Sequence, residues 1–246
     1  CMGKMSQEMG AHGWYAPGMN THRTAFGARN YEYFSEDGVL AGNIGASAVA
    51  GAMNQGVYSY IKHFALYEGN GKMVSVWSNE QAIREIYLKP FEISVKKGGA
   101  NAVMVSWSFL GHKWTGENSS LLNTVLRDEW GFRGMALTDF FRNNGHGFMN
   151  ADAALANGVD AMLSTFDGPE NNVADRSHPT SVKQMRNACK NVMYTVVSSW
   201  AYDGGGTSVG METWKKAAIG LDVVLVLGLA AVEIIVIKGS GKRKEM

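Results

Sequence analysis

NAVMVSWSFLGHKWTGENSSLLNTVLRDEWGFRGMALTDFF, residues 101–141, decides the fold. Val103, Met104 and Val105 form a continuous apolar run, as expected of a strand in a parallel sheet covered by helices. After a polar loop, Ser119 is placed to cap a helix in which Leu122, Val125, Leu126 and Trp130 recur at helical spacing, and Gly131 stops it. Met135, Ala136 and Leu137 make a second buried strand that ends on Thr138 and a carboxylate, Asp139. The unit is β-α-β, and folds of this class carry their chemistry at the carboxyl ends of strands.

Outward from this unit the alternation continues. Ser35 opens a helix whose Leu40, Ile44, Ala48, Val49 and Met53 share a face, and Gly56 ends it. Val57 to Phe64 reads as a strand carrying Lys62 and His63 at its far end. Residues 65–77 are loop-like; Ser78 and Gln81 form a capping box for a helix to about Lys97. Ala151 to Asn157 is a short helix, Val159 to Ser164 a further strand, and Thr180 to Trp200 a helix with Val182, Met185, Cys189, Val192, Met193, Val196 and Trp200 on one stripe. Strands alternating with helices at this spacing predict a parallel α/β sheet.

Composition bounds the function. With 246 residues, 46% of them hydrophobic, the chain can bury a sizeable core. A formal net charge of +1 argues against nucleic acid as partner. Cys1 and Cys189 are too few for a disulfide framework, and neither they nor His112 and His146 have metal-ligand spacing. No cofactor motif stands out, since the Gly-Lys at 71–72 lacks the remainder of a phosphate loop.

LLNTVLRDEWGFRGMALTDFF resembles the segment of family-3 glycoside hydrolases that leads into their catalytic aspartate. GWYAPGMNTHRTAFGARNYEYFSED at 13–37, KHF at 62–64 and REIYLKPFE at 84–92 are similar to further pieces of that family, in order, so the resemblance covers about residues 13–165. It implies the later part of a (β/α)₈ TIM-type barrel in a retaining β-glucosidase or β-xylosidase acting on the non-reducing end of oligosaccharides or glycosides. Asp139 takes the nucleophile position, and Arg29, Lys62 and His63 take positions that donate to sugar hydroxyls. Trp107 stands where many relatives have Tyr, and Phe140 where many have Trp; both would line the sugar site. Arg23 matches a neighbouring position where an ion pair is expected. Trp14, Tyr15, Tyr31, Tyr33, Phe141 and Phe148 could stack on sugar faces or pack. The family's acid/base usually comes from outside this stretch and no residue here matches it, nor does any match the early substrate-binding aspartate. The first residue is Cys, and the chain reads as the C-terminal fragment of a longer protein whose N-terminal part is its missing partner.

Beyond residue 203 the composition changes. Residues 204–216 begin as a Gly-rich linker, and Ala217 to Ile237 would make a helix about 32 Å long, enough to cross a hydrocarbon core of about 30 Å. Asp222 and Glu233 lie about one turn from its ends, where a charge is less costly than at the centre. Lys238, Lys242, Arg243 and Lys244 in the tail 238–246 outnumber Lys215 and Lys216, which puts the C-terminus in the cytoplasm and residues 1–203 outside it. The expectation is a membrane-anchored, outward-facing glycosidase; the alternative is a catalytically impaired carbohydrate-binding or scaffold protein, suggested by Trp107, Phe140 and the altered loop after KHF.

Overall fold

Three expected strands appear in the computed structural model, and four short ones lie in stretches expected to be loops, giving β1 Gly13–Trp14, β2 Tyr58–Phe64, β3 Ser75–Val76, β4 Ala102–Val105, β5 Phe109–Leu110, β6 Lys113–Trp114 and β7 Met135–Thr138, of which β2, β4 and β7 are the expected ones. Residues 1–27, 29–69, 75–141, 148–164, 171–203 and 213–242 are described. The chain divides into two units, Cys1–Thr207 and Ser208–Met246.

In the first unit, β1, β2, β4 and β7 lie in that order as one parallel sheet. Parallel neighbours need crossover connections, and each is helical: Gly38–Met53 before β2, Glu80–Lys96 before β4, and Ser120–Glu129 before β7. Ile61, Phe64, Val103 and Val105 turn one sheet face toward these helices and join Phe91, Leu122 and Leu126 in the main core. Tyr60, Met104, Met135 and Leu137 form a second apolar cluster with Ala161, Leu163 and Val192. β3, β5 and β6 form a separate small sheet, which turns between β5 and β6 through Gly111 at φ +64°. From this sheet Trp114 donates its Nε1–H to Ser106 O at 2.8 Å.

Several expected details are corrected. Helix 38–53 buries Ala41, Gly42, Gly45, Ala46 and Val49, while Leu40 and Ile44 are exposed. Close approach to helix Lys89–Lys96 decides this, because a Cβ at Gly42 would stand 2.8 Å from Ile93 Cδ1. The caps also move. Asp37, extended at φ −88° and ψ 117°, accepts from Val39 and Leu40 N–H in place of Ser35, and Asn79 accepts from Ala82 N–H in place of Ser78. Ser119 already has helical dihedrals, so Asn118 Oδ1 accepts from Leu121 N–H instead. The helix that follows, and residues Ile83–Tyr87, have the wider π-helical turn. The expected strand Val159–Ser164 shrinks to one bridge between Leu137 and Ala161, since Leu163 N–H goes to Thr138 Oγ1 rather than to a backbone carbonyl.

Helix Pro179–Val197 packs at the amino-terminal ends of β4 and β7. Its Thr195 Oγ1 donates to Asn101 O at 2.7 Å and accepts from Met135 N–H at 2.9 Å. Trp200, in a separate short helix, donates its backbone N–H to Gly56 O. On the expected stripe Cys189 and Met193 are exposed, and Ala188 and Thr195 are the buried residues.

The second unit holds the helix Thr213–Lys242. Within it, Lys216–Ile234 has a mean hydropathy of 2.2 and is long and apolar enough to cross a membrane. The Gly-rich stretch 204–210 and the tail from Arg243 lie outside the described residues.

Candidate active site

Register assembles the site. Phe64 pairs with Val105, and Val105 with Thr138, so the carboxyl ends of β2, β4 and β7 stand level. His63, Ser106 to Ser108 and Asp139 therefore emerge at one edge of the sheet. Asp139 is anchored through its backbone N–H to Val105 O at 2.9 Å. Its Oδ1 accepts the Phe140 N–H at 2.6 Å, which fixes the carboxylate's rotation and leaves its side chain 13% exposed.

Arg29 and Lys62 converge on the same place from different elements. His63 Nε2 lies 4.0 Å from Asp139 Oδ2 and accepts from Arg29 Nη1 at 2.9 Å. An arginine can only donate, so Nε2 carries the lone pair and the proton sits on Nδ1, which faces Tyr33 Oη at 3.2 Å. Burial, with the charges of Arg29 and Lys62, pushes the imidazole pKa down to about 2. His63 is thus neutral, and its contact with Asp139 is not an ion pair. Asn20 grips the His63 backbone from both sides, accepting its N–H at 2.8 Å and donating to its carbonyl at 3.0 Å.

Glu32, which the sequence reading did not single out, joins the two cations. It pairs with Arg29 at 2.5 Å and with Lys62 Nζ at 2.9 Å. Burial opposes its ionisation, but the hydrogen bonds from Lys62 and Arg29 outweigh it and hold the carboxyl below the ordinary range. For Asp139 the balance is opposite: burial raises its pKa, against the Phe140 N–H and the charges of Arg29 and Lys62. Glu32 lies three residues after Arg29, so half of this pairing was available from local spacing.

Trp107 donates its indole N–H to Phe140 O at 3.2 Å and thereby ties the loop after β4 to that after β7. Tyr67 stands between His63 and Trp107, with ring centroids 5.2 and 6.3 Å away. Tyr33 and Phe141 are buried, so they pack rather than offer a sugar-facing surface, whereas Tyr31 is 87% exposed. Arg23 stacks on Tyr87 at 5.0 Å in a cation–π contact, and its charge acts on the Glu68 carboxyl. His112 is exposed, and His146 lies outside the described residues. Among the described residues no group of three or more His, Cys, Asp or Glu could hold a metal ion.

Beside the site is a cavity of 480 Å³ lined in part by Arg23, Tyr67, Glu68, Trp77, Tyr87 and Ser108. Burial pushes the Glu68 carboxyl up to about 7, although Asn20 Nδ2 donates to it at 3.2 Å. A carboxyl whose pKa is raised on folding contributes stability that is complete below its unfolded value of 4.5 and is lost as pH rises through about 7. The ceiling is about 3 kcal/mol, and solvent in the cavity reduces it to roughly 1–2. Thermal melts of Glu68→Gln should therefore match the wild type near pH 4 and lie above it near pH 8; equal curves at both would remove this assignment.

A parallel sheet with a buried carboxylate at its carboxyl edge, facing an arginine, a lysine and a neutral imidazole, defines an α/β protein with its chemistry at the strand ends. Residues 1–193 match the glycosyl hydrolase family 3 N-terminal domain, and the chain belongs to this family. It is 41% identical over 142 residues to a beta-glucosidase of Rhizobium radiobacter, covering 57% of this chain and 17% of that protein. It is 33% identical over 192 residues to the probable beta-glucosidase J of Emericella nidulans, covering 76% of this chain and 22% of the relative. Among solved structures, beta-glucosidase 3B from Thermotoga neapolitana in complex with glucose superposes with a TM-score of 0.73 at 31% identity, over 89% of this chain and 32% of that one. The chain thus spans about a fifth of the length of these curated relatives.

Proposed function

We propose that the chain carries the nucleophile side of a retaining β-glycosidase that cleaves β-glucosides or β-xylosides from the non-reducing end. The observation that carries this reading is the fixed, largely buried carboxylate of Asp139 at the end of β7, with Arg29, Lys62 and His63 gathered beside it. Asp139 attacks the anomeric carbon, the glycosidic C–O bond breaks, and a glycosyl ester forms that water then hydrolyses. Arg29 and Lys62 donate to sugar hydroxyls, and Trp107 and Phe140 wall the ring. The proton for the leaving oxygen comes from an acid outside residues 1–203. The parallel sheet is the later part of a (β/α)₈ barrel in this reading, supported by its similarity to the family's solved β-glucosidases.

The test uses a 2,4-dinitrophenyl β-glucoside, whose leaving group departs without a proton. The full chain is expected to release one equivalent of dinitrophenolate quickly and to turn over faster with azide, which replaces water without needing a base. Saturable sugar binding with no release would instead assign a binding role, the alternative that Trp107 and Phe140 suggest.

We further propose that Thr213–Lys242 anchors the chain in a membrane with its C-terminus cytoplasmic, on the strength of the apolar window Lys216–Ile234. The full chain should float with lipid vesicles in a density gradient. Replacing Leu225 and Leu227 by lysine, at roughly 2.5–3.5 kcal/mol each near the helix centre, should leave it at the bottom. Flotation of both proteins alike would refute the anchor.

A further inference from the structure

We propose that Glu32 is a positioning residue for this site: its carboxylate holds the two sugar-binding cations, Arg29 and Lys62, in one arrangement around Asp139 and offsets their charge. The inference rests on the hydrolase reading above and names a residue that reading does not use.

Each oxygen of Glu32 has its own cation. Oε2 takes Arg29 through Nε at 2.7 Å and Nη2 at 2.5 Å, a forked contact that fixes the guanidinium plane, and Oε1 takes Lys62 Nζ at 2.9 Å. The same guanidinium then has Nη1 free to donate to His63 Nε2 at 2.9 Å. Glu32 thus sets which Arg29 nitrogen faces His63, and through it how the neutral imidazole stands against Asp139. All three side chains are mostly sheltered, Lys62 at 14%, Glu32 at 20% and Arg29 at 28% exposed. Without Glu32 the two cations would repel each other.

The charges close as well. Arg29 and Lys62 are matched by Glu32 and Asp139, and His63 is neutral. Among the described residues, the ionisable groups acting on Asp139 or on its neighbours here are Arg29, Glu32 and Tyr33 from the loop after β1, Lys62 and His63 of β2, and Tyr67 beyond β2. Glu32 acts on Asp139 in the direction opposite to the two cations. Removing its charge leaves Arg29 and Lys62 unopposed, so Asp139 must titrate at lower pH. A purely structural role would not move that titration.

The experiment compares the full chain with Glu32→Gln and Glu32→Asp by two readouts. The first is the Asp139 carboxyl titration followed by ¹³C NMR, which needs no activity. The second is inactivation by 2,4-dinitrophenyl 2-deoxy-2-fluoro-β-glucoside, which separates binding from the chemical step. Glu32→Gln is expected to lower the Asp139 midpoint and to weaken inactivator binding by about tenfold or more, the scale of hydrogen bonds to charged groups, with a smaller change in the saturating rate. Glu32→Asp keeps the charge but not the reach, so it should restore the midpoint while binding stays weak. An unchanged midpoint and unchanged binding in Glu32→Gln would overturn the proposal. Should that variant fail to fold, wild-type binding by Glu32→Asp would overturn it equally. If the wild type is never inactivated while the midpoint still falls in Glu32→Gln, the hydrolase reading fails and the charge arrangement stands.

Discussion

Asp139→Asn is expected to stop dinitrophenolate release, with a fall on the order of 10⁴-fold or more, the scale on which losing a covalent nucleophile acts. An amide cannot form the glycosyl ester, yet it matches the carboxylate in shape and can still accept the Phe140 N–H. The fold should therefore survive and gain. Asp139's carboxyl is raised by burial on folding, so its contribution to stability is complete below the unfolded pKa and is lost as pH rises through the folded one. At neutral pH the charged form is the costly one. The inactive variant should accordingly melt higher than the wild type at pH 7, by an amount that disappears in acid. Activity retained by Asp139→Asn would remove this residue from the chemistry, whatever its effect on melting.

The largest loss of stability is expected from Arg127→Met. Arg127 belongs to the same long motif as Asp139, but it works at the opposite end of the sheet. Its Nη1 donates to Gly134 O at 3.0 Å, and its Nη2 donates to Gly158 O at 3.0 Å and to Asp160 Oδ2 at 2.7 Å. Asp160 is 3% exposed and also accepts from Ala136 N–H and Asn191 Nδ2, so it pins the start of β7 to helix Pro179–Val197. Removing the cation leaves a buried carboxylate and two carbonyls short of donors, a defect worth about 3–5 kcal/mol. Denaturant unfolding should show the loss as a lower midpoint at constant slope. A change under 1 kcal/mol, the usual scale of exposed pairs, would mean that solvent replaces the guanidinium.

Legibility in the sequence followed the range of the interaction. Continuous apolar runs located β4 and β7, because burial on both faces leaves no alternative composition, whereas β2 is interrupted by Ser59, Lys62 and His63 and was placed by the helix stop at Gly56 before it. Helix starts were off by one or two residues at Ser35, Ser78 and Ser119, since the choice among adjacent Ser, Asp and Asn depends on which residue has extended dihedrals. On helix 38–53 the expected face holds at Val49 and Met53 and fails at Leu40 and Ile44, because the contact in the first half is made by Gly42 and Gly45, which carry no hydrophobic signal. At the candidate site, Asp139, Lys62, His63 and Arg29 came from resemblance rather than from periodicity, and the fold brings them together. Glu32 was missed because its bond to Lys62 crosses thirty positions of chain, and the neutrality of His63 because it depends on burial beside Arg29.

The most direct test of the account is mass spectrometry of the full chain after incubation with the 2-deoxy-2-fluoro glucoside, followed by mapping of the labelled peptide. The account predicts one fluoroglucosyl adduct per chain, on Asp139. A folded protein that remains unlabelled at saturating reagent, or one labelled on another carboxylate, would contradict it.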